Sequence, residues 1–200
     1  MATQSDHVSA AEELHAHSPI PDDARRLAFD TTLTNGAVMH VRAVRGDDKE
    51  RLQAFHSRLS LDTIVFRFFR VLPELSDADA RAFTHIDYEN RMAVVATVDT
   101  DAGEQIIGVV RYERIGPDTG EVAFVVEDNW QGMGIAPRLL HVLADYARHR
   151  GFSTLVAITM GNNRHMLNML HHSEFPSTTH YTGGEVTVRL SITETETRPV

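Results

Sequence analysis

Two glycines and a proline set close together, Gly132, Gly134 and Pro137, are the residues of this chain whose types and spacing most directly suggest chemistry. Glycine permits a tight turn and a close approach of a ligand to the backbone, and proline is tolerated in the first turn of a helix. Such a turn leaves the backbone N–H groups of residues 132–136 unpaired, with the positive end of the helix dipole behind them. The pattern predicts an anion site, most naturally for phosphate.

The segments on either side of this loop have the patterns of regular structure. Residues 122–126, Val-Ala-Phe-Val-Val, have the composition of a strand, and Gly151 is suited to ending the helix that follows the loop. The apolar residues of that helix recur at helical spacing: Leu139, Leu140, Leu143, Tyr146 and Ala147. The loop lacks the Lys-Ser/Thr of a P-loop and the glycine spacing of a Rossmann fold, and a plain tight connection is the alternative interpretation.

The loop also contains the pattern Gln131-x-x-Gly134-x-Ala136, which resembles the pyrophosphate loop of the GNAT superfamily of CoA-dependent N-acetyltransferases. A strand-like run at 154–159 and an Asn-led segment at 163–175 follow it, as they do in that family. The resemblance implies acetyl-CoA as co-substrate and an α/β (α+β) fold. In that fold a mixed central sheet has helices on both faces, and a splayed strand pair holds the CoA.

The family resemblance implies roles for two groups of residues around the cofactor. The backbone of Val125 and Val126 would pair with the pantetheine arm, and Asn163 would contact the same arm. The pyrophosphate cradle would consist of Gln131, Gly132, Met133, Gly134, Ile135, Ala136 and Pro137. A plain core strand at 125–126 and a helix N-cap at Asn163 are the alternatives. Arg138 and Arg164 either contact phosphates or are only solvated.

Glu121 is the candidate catalytic residue. The segment around it, 120–126, is similar to the Ala-Glu-x-Ala segment of the bacterial protein lysine acetyltransferase (Pat-like) subgroup, in which the glutamate is the general base. Leu-Ser at 59–60, Arg-Phe-Phe at 67–69 and Asp-Tyr at 87–88 resemble the N-terminal half of the same subgroup. The resemblance implies direct attack of an amine on acetyl-CoA with Glu121 as base, whereas a solvated charge at a strand start is the alternative.

The chain departs from the family pattern at two positions. Many GNAT enzymes have a tyrosine that acts as general acid seven residues after the asparagine, and this chain has Leu170 there. Protonation of the leaving thiolate is therefore unassigned or left to water. Glu174 replaces the usual glycine before Phe175, which affects only the local helix cap.

Composition bounds the class of protein. The chain has 200 residues, 42% hydrophobic and 24% charged, which is typical of one globular domain. Without cysteine it has no disulfide framework, and its 12 histidines lack metal-ligand spacing, so we expect no metal. A net charge of −9 argues against nucleic-acid binding, and no run approaches the about 18 apolar residues of a membrane span. A cytoplasmic location is the default expectation.

The chain divides into three parts by composition. Residues 1–30 are polar and interrupted by prolines, which predicts a mobile N-terminal extension. Residues 31–193 would form the GNAT domain, with a hairpin turning at Asn35-Gly36 and helices capped by Ser60 and Ser76. Residues 194–200 would be a C-terminal tail. The element order expected is β-α-α-β-β-β-α-β-α-β.

The leading hypothesis is an acetyltransferase that acts on the side-chain amine of protein lysine. A small-molecule amine acetyltransferase on the same fold is the runner-up. A non-catalytic acetyl-CoA-binding sensor module is the alternative from a different class. The partner would be a protein with an acceptor lysine or a small amine, with no nucleic acid and no membrane.

Overall fold

Eight strands form one sheet in the computed structural model, which describes residues 19–193, and they lie in the order β1-β2-β3-β4-β5-β6-β8-β7. The strands are β1 Phe29–Thr32, β2 Val38–Ala43, β3 Arg91–Thr100, β4 Gly103–Arg114, β5 Thr119–Val126, β6 Thr154–Met160, β7 Ser177–Thr182 and β8 Glu185–Ser191. The helices are α1 Asp22–Arg25, α2 Lys49–Ser57, α3 Leu61–Phe68, α4 Asp77–Thr84, α5 Ile135–His149 and α6 Arg164–His171. Short 3-10 turns precede α2 and follow β5, at Gly46–Asp48 and Asp128–Trp130.

The sheet is mixed, as the sequence predicted. Strands β1 to β5 pair antiparallel, β5 pairs parallel with β6, and β8 pairs antiparallel with both of its neighbours. The parallel pair requires a crossover, which α5 supplies between β5 and β6. The centre of the sheet is buried on both faces because seven consecutive residues of β3, 92–98, are buried.

Helices cover both faces of this sheet, as predicted. Alternate residues of β4 point to opposite sides. Val109 and Arg111 line a cavity beneath α2 to α4, whereas a Cβ atom built on Gly108 would lie 3.1 Å from Ile135 of α5. The fold is thereby built as two helical layers around one sheet.

Helix α5 is amphipathic and begins and ends at glycines. Gly134, in the left-handed region with φ 76°, precedes its first turn. Gly151, with φ 80°, follows its last turn, where its N–H donates to the Arg148 carbonyl, so the predicted C-cap is confirmed. The buried face of the helix consists of Ile135, Leu139, Leu140, Val142, Leu143, Ala144, Tyr146 and Ala147.

Strands β5 and β6 separate after only four paired residues. Pairing runs from Thr119 with Thr154 to Val122 with Ala157, and the remainder of each strand has no partner in the other. Residues 123–126 of β5 therefore keep one backbone edge open toward the gap. This is the splayed strand pair that the family resemblance implied.

Several local predictions are confirmed, and two elements were missed. Gly36 turns the first hairpin with φ 86°, and the hydroxyls of Ser60 and Ser76 accept the N–H groups of Thr63 and Asp79 at the starts of α3 and α4. Helix α1 and strand β7 were not predicted from the sequence.

The predicted domain boundary at residue 31 falls inside strand β1, which starts at Phe29, and α1 packs on β2 just before it. The rest of the predicted extension, residues 1–18, and the predicted tail, 194–200, lie outside the described residues. Across 19–193, none of the helices has both the length and the apolar character needed to cross a membrane.

Candidate active site

A cleft of about 830 Å³ opens where β5 and β6 separate, which is within the usual size range of a ligand site. It runs between the loop that starts α5, the wall formed by α3 and the first turns of α6. The predicted site residues that line it are Glu121, Val125, Val126, Gln131, Gly132, Gly134, Ile135, Ala136, Pro137 and Asn163. The sequence patterns therefore converge on one space.

The glycine loop presents unpaired backbone donors to this cleft. Within the described residues, no protein acceptor takes the N–H groups of Gly132, Met133, Gly134, Ile135 and Ala136. Gly132 and Gly134 both have φ 76°, and a Cβ on Gly132 would meet only open space. Free N–H groups at the positive end of a 15-residue helix suit a phosphate group, so the loop has the geometry of an anion site.

Arg138 and Met133 lie differently from what the sequence suggested. The Arg138 guanidinium folds back and donates to the carbonyls of Met133 and Gly134, at 3.2 and 3.0 Å, so it braces the loop from inside the helix. The Met133 side chain does not line the cleft and packs against the hydrophobic core instead. Arg164 is exposed at the start of α6 and is also absent from the cleft lining.

The loop is tied to helix α3 by a cluster of side-chain hydrogen bonds. Gln131 donates to the Val126 carbonyl at 3.1 Å and to the Thr63 hydroxyl at 3.3 Å. Asp128 accepts from the Ser60 N–H at 2.8 Å, from its hydroxyl at 2.6 Å and from the Thr63 hydroxyl at 2.8 Å. Burial raises the pKa of Asp128, but these hydrogen bonds outweigh burial and lower it overall. The carboxylate is thus held ionised between the loop and the wall of the cleft.

Asn163 caps helix α6. Its side-chain oxygen accepts the Met166 N–H at 3.2 Å, and the residue is buried at the base of the cleft. The alternative interpretation of this residue as an N-cap is therefore what the structure contains. Because the oxygen makes the cap, its amide N–H groups remain able to donate to a ligand.

Glu121 is exposed and lies at the point where β5 and β6 are still paired. In the strand register it stands opposite Glu113 of β4 on one side and Val156 of β6 on the other. Its carboxylate shares the cleft lining with Arg67 of α3. Burial lowers the pKa of Arg67, and the negative charge of Glu121 opposes that shift, which indicates that the two groups are neighbours.

The far wall of the cleft contains polar side chains that no sequence pattern had indicated. Thr159 is 2% exposed, and its hydroxyl has no partner among the described residues although it lines the cleft. His165 of α6 and His172, the residue that follows this helix, also line it. Leu170, at the position of the family's tyrosine, is fully buried and supplies no proton. Within residues 19–193 no cluster of three or more His, Cys, Asp or Glu residues is placed to hold a metal ion.

Comparisons with known proteins agree with this geometry. The model of the Acetyltransferase (GNAT) family matches residues 59–175. An acetyltransferase of Pseudomonas aeruginosa is 33% identical over 139 residues, which are 69% of this chain and 75% of that protein.

Solved structures of the same fold cover most of the chain. The GNAT domain of S. lividans PAT is 32% identical with a TM-score of 0.76, over 88% of this chain and 99% of that one. This match confirms the resemblance to the Pat-like subgroup. A ribosomal-protein-S5-alanine acetyltransferase from Vibrio fischeri has a TM-score of 0.64 at 17% identity, over 86% of this chain and 99% of that one. A cAMP-binding acyltransferase from Mycobacterium smegmatis has a TM-score of 0.60 at 22% identity, over 96% of this chain and 58% of that one. The last two show the fold alone.

Proposed function

The chain belongs to the acetyltransferase (GNAT) family and is an acetyl-CoA-dependent N-acetyltransferase, and on that premise we propose that its acceptor is the side-chain amine of a protein lysine, with Glu121 as general base. The observation that carries the proposal is that the unpaired N–H groups of the glycine loop and the Glu121 carboxylate lie in one cleft. An anion-binding end and a proton-accepting group in a single cleft are what acetyl transfer to an amine requires.

The cofactor end of the cleft is built from backbone groups. The N–H groups of residues 132–136 would bind the pyrophosphate, and the open edge of β5 at Val125 and Val126 would pair with the pantetheine arm as an added strand. The amide of Asn163 would donate to the same arm. Bound acetyl-CoA supplies an activated acetyl thioester, and a backbone N–H near Val125 would polarise its carbonyl oxygen.

The acceptor end is where the proton must be handled. A lysine amine is almost fully protonated near neutral pH, with a reference pKa of about 10.4. Glu121 would accept that proton directly or through one water as the amine attacks. Its exposed position just before the two strands separate, beside Arg67 on α3, lets an amine on another molecule reach it.

The rim of the groove supports a protein as the acceptor. Leu61, Phe69 and Val71, on α3 and the segment after it, are large apolar side chains that are 58%, 38% and 59% exposed. Phe69 also lines the cleft. Exposed apolar residues beside a site are typical of surfaces that contact another protein, whereas a small amine would need only the cleft itself.

The test is transfer of labelled acetyl groups from acetyl-CoA to a panel of proteins and, in parallel, to a panel of free amines. We expect label on lysine side chains of a subset of the proteins, found by mass spectrometry, and loss of that label with Glu121→Gln. Labelling of free amines alone would replace the proposal by its small-molecule alternative. Tight acetyl-CoA binding with no labelling of any acceptor would favour a sensor module.

A further inference from the structure

Two arginines, Arg67 of α3 and Arg111 of β4, have no anionic partner among the residues that the structure describes. Within residues 19–193, neither the guanidinium of Arg67 nor that of Arg111 donates a hydrogen bond to another protein group. No carboxylate oxygen in that range lies within the 4.0 Å of an ion pair from either of them. Each is packed against an aromatic ring instead, Arg67 4.9 Å from the Phe68 centroid and Arg111 4.3 Å from the Phe83 centroid. Partly buried cations without partners are costly, so an arrangement with two of them side by side calls for a ligand.

Both arginines line a second, small cavity of about 40 Å³ between the sheet and helices α2 to α4. His56 of α2 reaches the same cavity, and although it is only 3% exposed, its Nε2 atom has no hydrogen-bond partner in the described part of the chain. The remaining lining is apolar: Val44, Leu52, Phe55, Leu59, Phe68, Leu75, Phe83, Ala93, Val109, Ala123 and Val125. Three nitrogen-bearing side chains thus line a space that has no carboxylate, hydroxyl or amide oxygen among its lining side chains.

Burial dominates the electrostatics of this cavity. It lowers the pKa of Arg111 to about 10, with repulsion from Arg67 and Arg91 adding to the effect. The charges of Glu121 and Glu113 act on the two arginines through space and oppose the shifts. Burial likewise lowers the pKa of His56, which is therefore neutral near pH 7 and has one N–H to donate. The two arginines remain charged at neutral pH, so the cavity is positive.

The small cavity adjoins the acceptor end of the cleft. Arg67, Ala123 and Val125 line both spaces, so the two spaces meet at these residues. The strand register places Arg111 of β4 directly opposite Ala123 of β5, two pairs away from the Glu113–Glu121 pair and on the same face of the sheet. The positive groups therefore begin next to the candidate base and extend inward from it.

We propose that Arg67, Arg111 and His56 form a carboxylate-binding site next to the acceptor end of the cleft. This site binds an acidic side chain that neighbours the acceptor lysine in the substrate protein. The acceptor part of this inference rests on the proposed function. A planar guanidinium binds both oxygens of a carboxylate, and two of them with an imidazole N–H can satisfy all of its lone pairs. The cavity has room for a carboxylate group, since one water needs about 10–15 Å³, but not for a nucleotide.

Binding can be measured without turnover, using sodium formate as the probe and sodium chloride at equal ionic strength as the reference. The imidazole signals of His56, assigned by their loss in His56→Asn, would be followed by NMR during titration of the full chain. We expect a saturable shift with formate in the wild type. Arg67→Gln and Arg111→Gln should each weaken formate binding by roughly 10-fold or more, because charged hydrogen bonds are lost. Arg70→Gln, an exposed arginine three residues from Arg67 that lines neither cavity, should bind as the wild type does.

Inhibition kinetics distinguish a carboxylate that belongs to the acceptor protein from a free carboxylate ion. We expect formate to inhibit competitively against the acceptor protein and not against acetyl-CoA. Formate binding without such competition would overturn the acceptor role and assign the site to a free carboxylate ion. No saturable shift in the wild type, or unchanged binding in Arg111→Gln, would overturn the site itself. A lower melting temperature with unchanged formate binding would give the arginines a purely structural role. Failure to detect lysine acetylation would contradict the proposed function and leave the formate result standing.

Discussion

At the scale of residues, the sequence identified those parts of the cleft that depend on local chemistry. Gly132 and Gly134 could be predicted because a tight turn before a helix needs glycine, and both adopt positive φ. The role of Asp128 could not be predicted, because its partners Ser60 and Thr63 are 68 and 65 residues away in the chain. The same holds for Arg67, whose neighbours depend on how α3 packs against β5. Distant contacts between polar side chains leave no spacing pattern in a sequence.

Gly134 provides the residue-scale prediction. Valine at this position has to adopt the left-handed backbone, and its Cβ would lie 2.6 Å from the Arg138 Nη1 that braces the loop. We expect Gly134→Val to abolish CoA binding, as measured by calorimetry, while the protein still folds. Gly151→Val is the matched control, since it imposes a similar positive-φ strain of about 1–2 kcal/mol at the other end of α5. CoA binding by Gly134→Val as strong as that by Gly151→Val would contradict the assignment of the loop.

At the scale of elements, strands with buried runs and helices with an apolar face could be predicted from the sequence. An exposed edge strand and a very short helix could not. Strand β3 has seven consecutive buried residues, and α5 has a continuous apolar face, so their patterns are strong. Strand β7 lies at the edge of the sheet with almost every residue exposed, and it therefore has no apolar alternation. Helix α1 has only four residues, too few for a helical period to be recognised.

A buried ion network joins several of these elements and gives a prediction on pH. Arg42 of β2 donates to Asp48 and to Glu104 of β4. The hydrogen bond from Arg42 lowers the pKa of Glu104 from 4.5 to about 2. The unfolded state then binds more protons between these two values, so this contribution to stability is complete above pH 4.5 and is lost as the pH falls toward 2.

Chemical denaturation of the wild type and of Glu104→Gln at several pH values would measure this contribution. We expect the free energy of unfolding at pH 7 to fall by on the order of 2 kcal/mol in the variant, and the difference to shrink between pH 4.5 and 2. Asp101→Asn, in the exposed turn of the same hairpin, serves as the control and should show no such dependence. A difference that stays constant with pH would mean that ionisation of Glu104 does not stabilise the fold.

At the scale of the whole molecule, the cleft exists because one parallel pair interrupts an otherwise antiparallel sheet. The α5 crossover makes β5 and β6 parallel, and their separation after Val122 creates a space that both helical layers reach. The element order predicted that architecture. The attachment of residues 19–30 was not predicted, because it depends on a few scattered contacts without a period: buried Ala24, partly buried Ile20 and Leu27, and an ion pair of 2.6 Å between Asp23 and Arg150.

The attachment of α1 can be tested by a single substitution. Ala24 is fully buried, so Ala24→Asp places an unpaired carboxylate in the core and should lower stability by roughly 2–4 kcal/mol, seen as a lower melting temperature. Asp22→Asn, at an exposed position in the same short helix, should leave the melting temperature nearly unchanged. Equal melting temperatures for the two variants would mean that α1 contributes little to the domain.

The most direct test of the central claim, that Glu121 removes the proton from an acceptor amine, is the pH dependence of kcat for Glu121→Gln. The variant keeps the shape of the side chain and removes the base, so we expect kcat at neutral pH to fall by roughly 10²- to 10⁴-fold. Acetyl-CoA binding should be retained, and the rate should recover partly at high pH, where free amine is more abundant. Glu113→Gln, which removes an equal charge from the facing position on β4 outside the cleft, should stay within about threefold of the wild type. Near-wild-type kcat in Glu121→Gln, or an equal loss in Glu113→Gln, would contradict the claim.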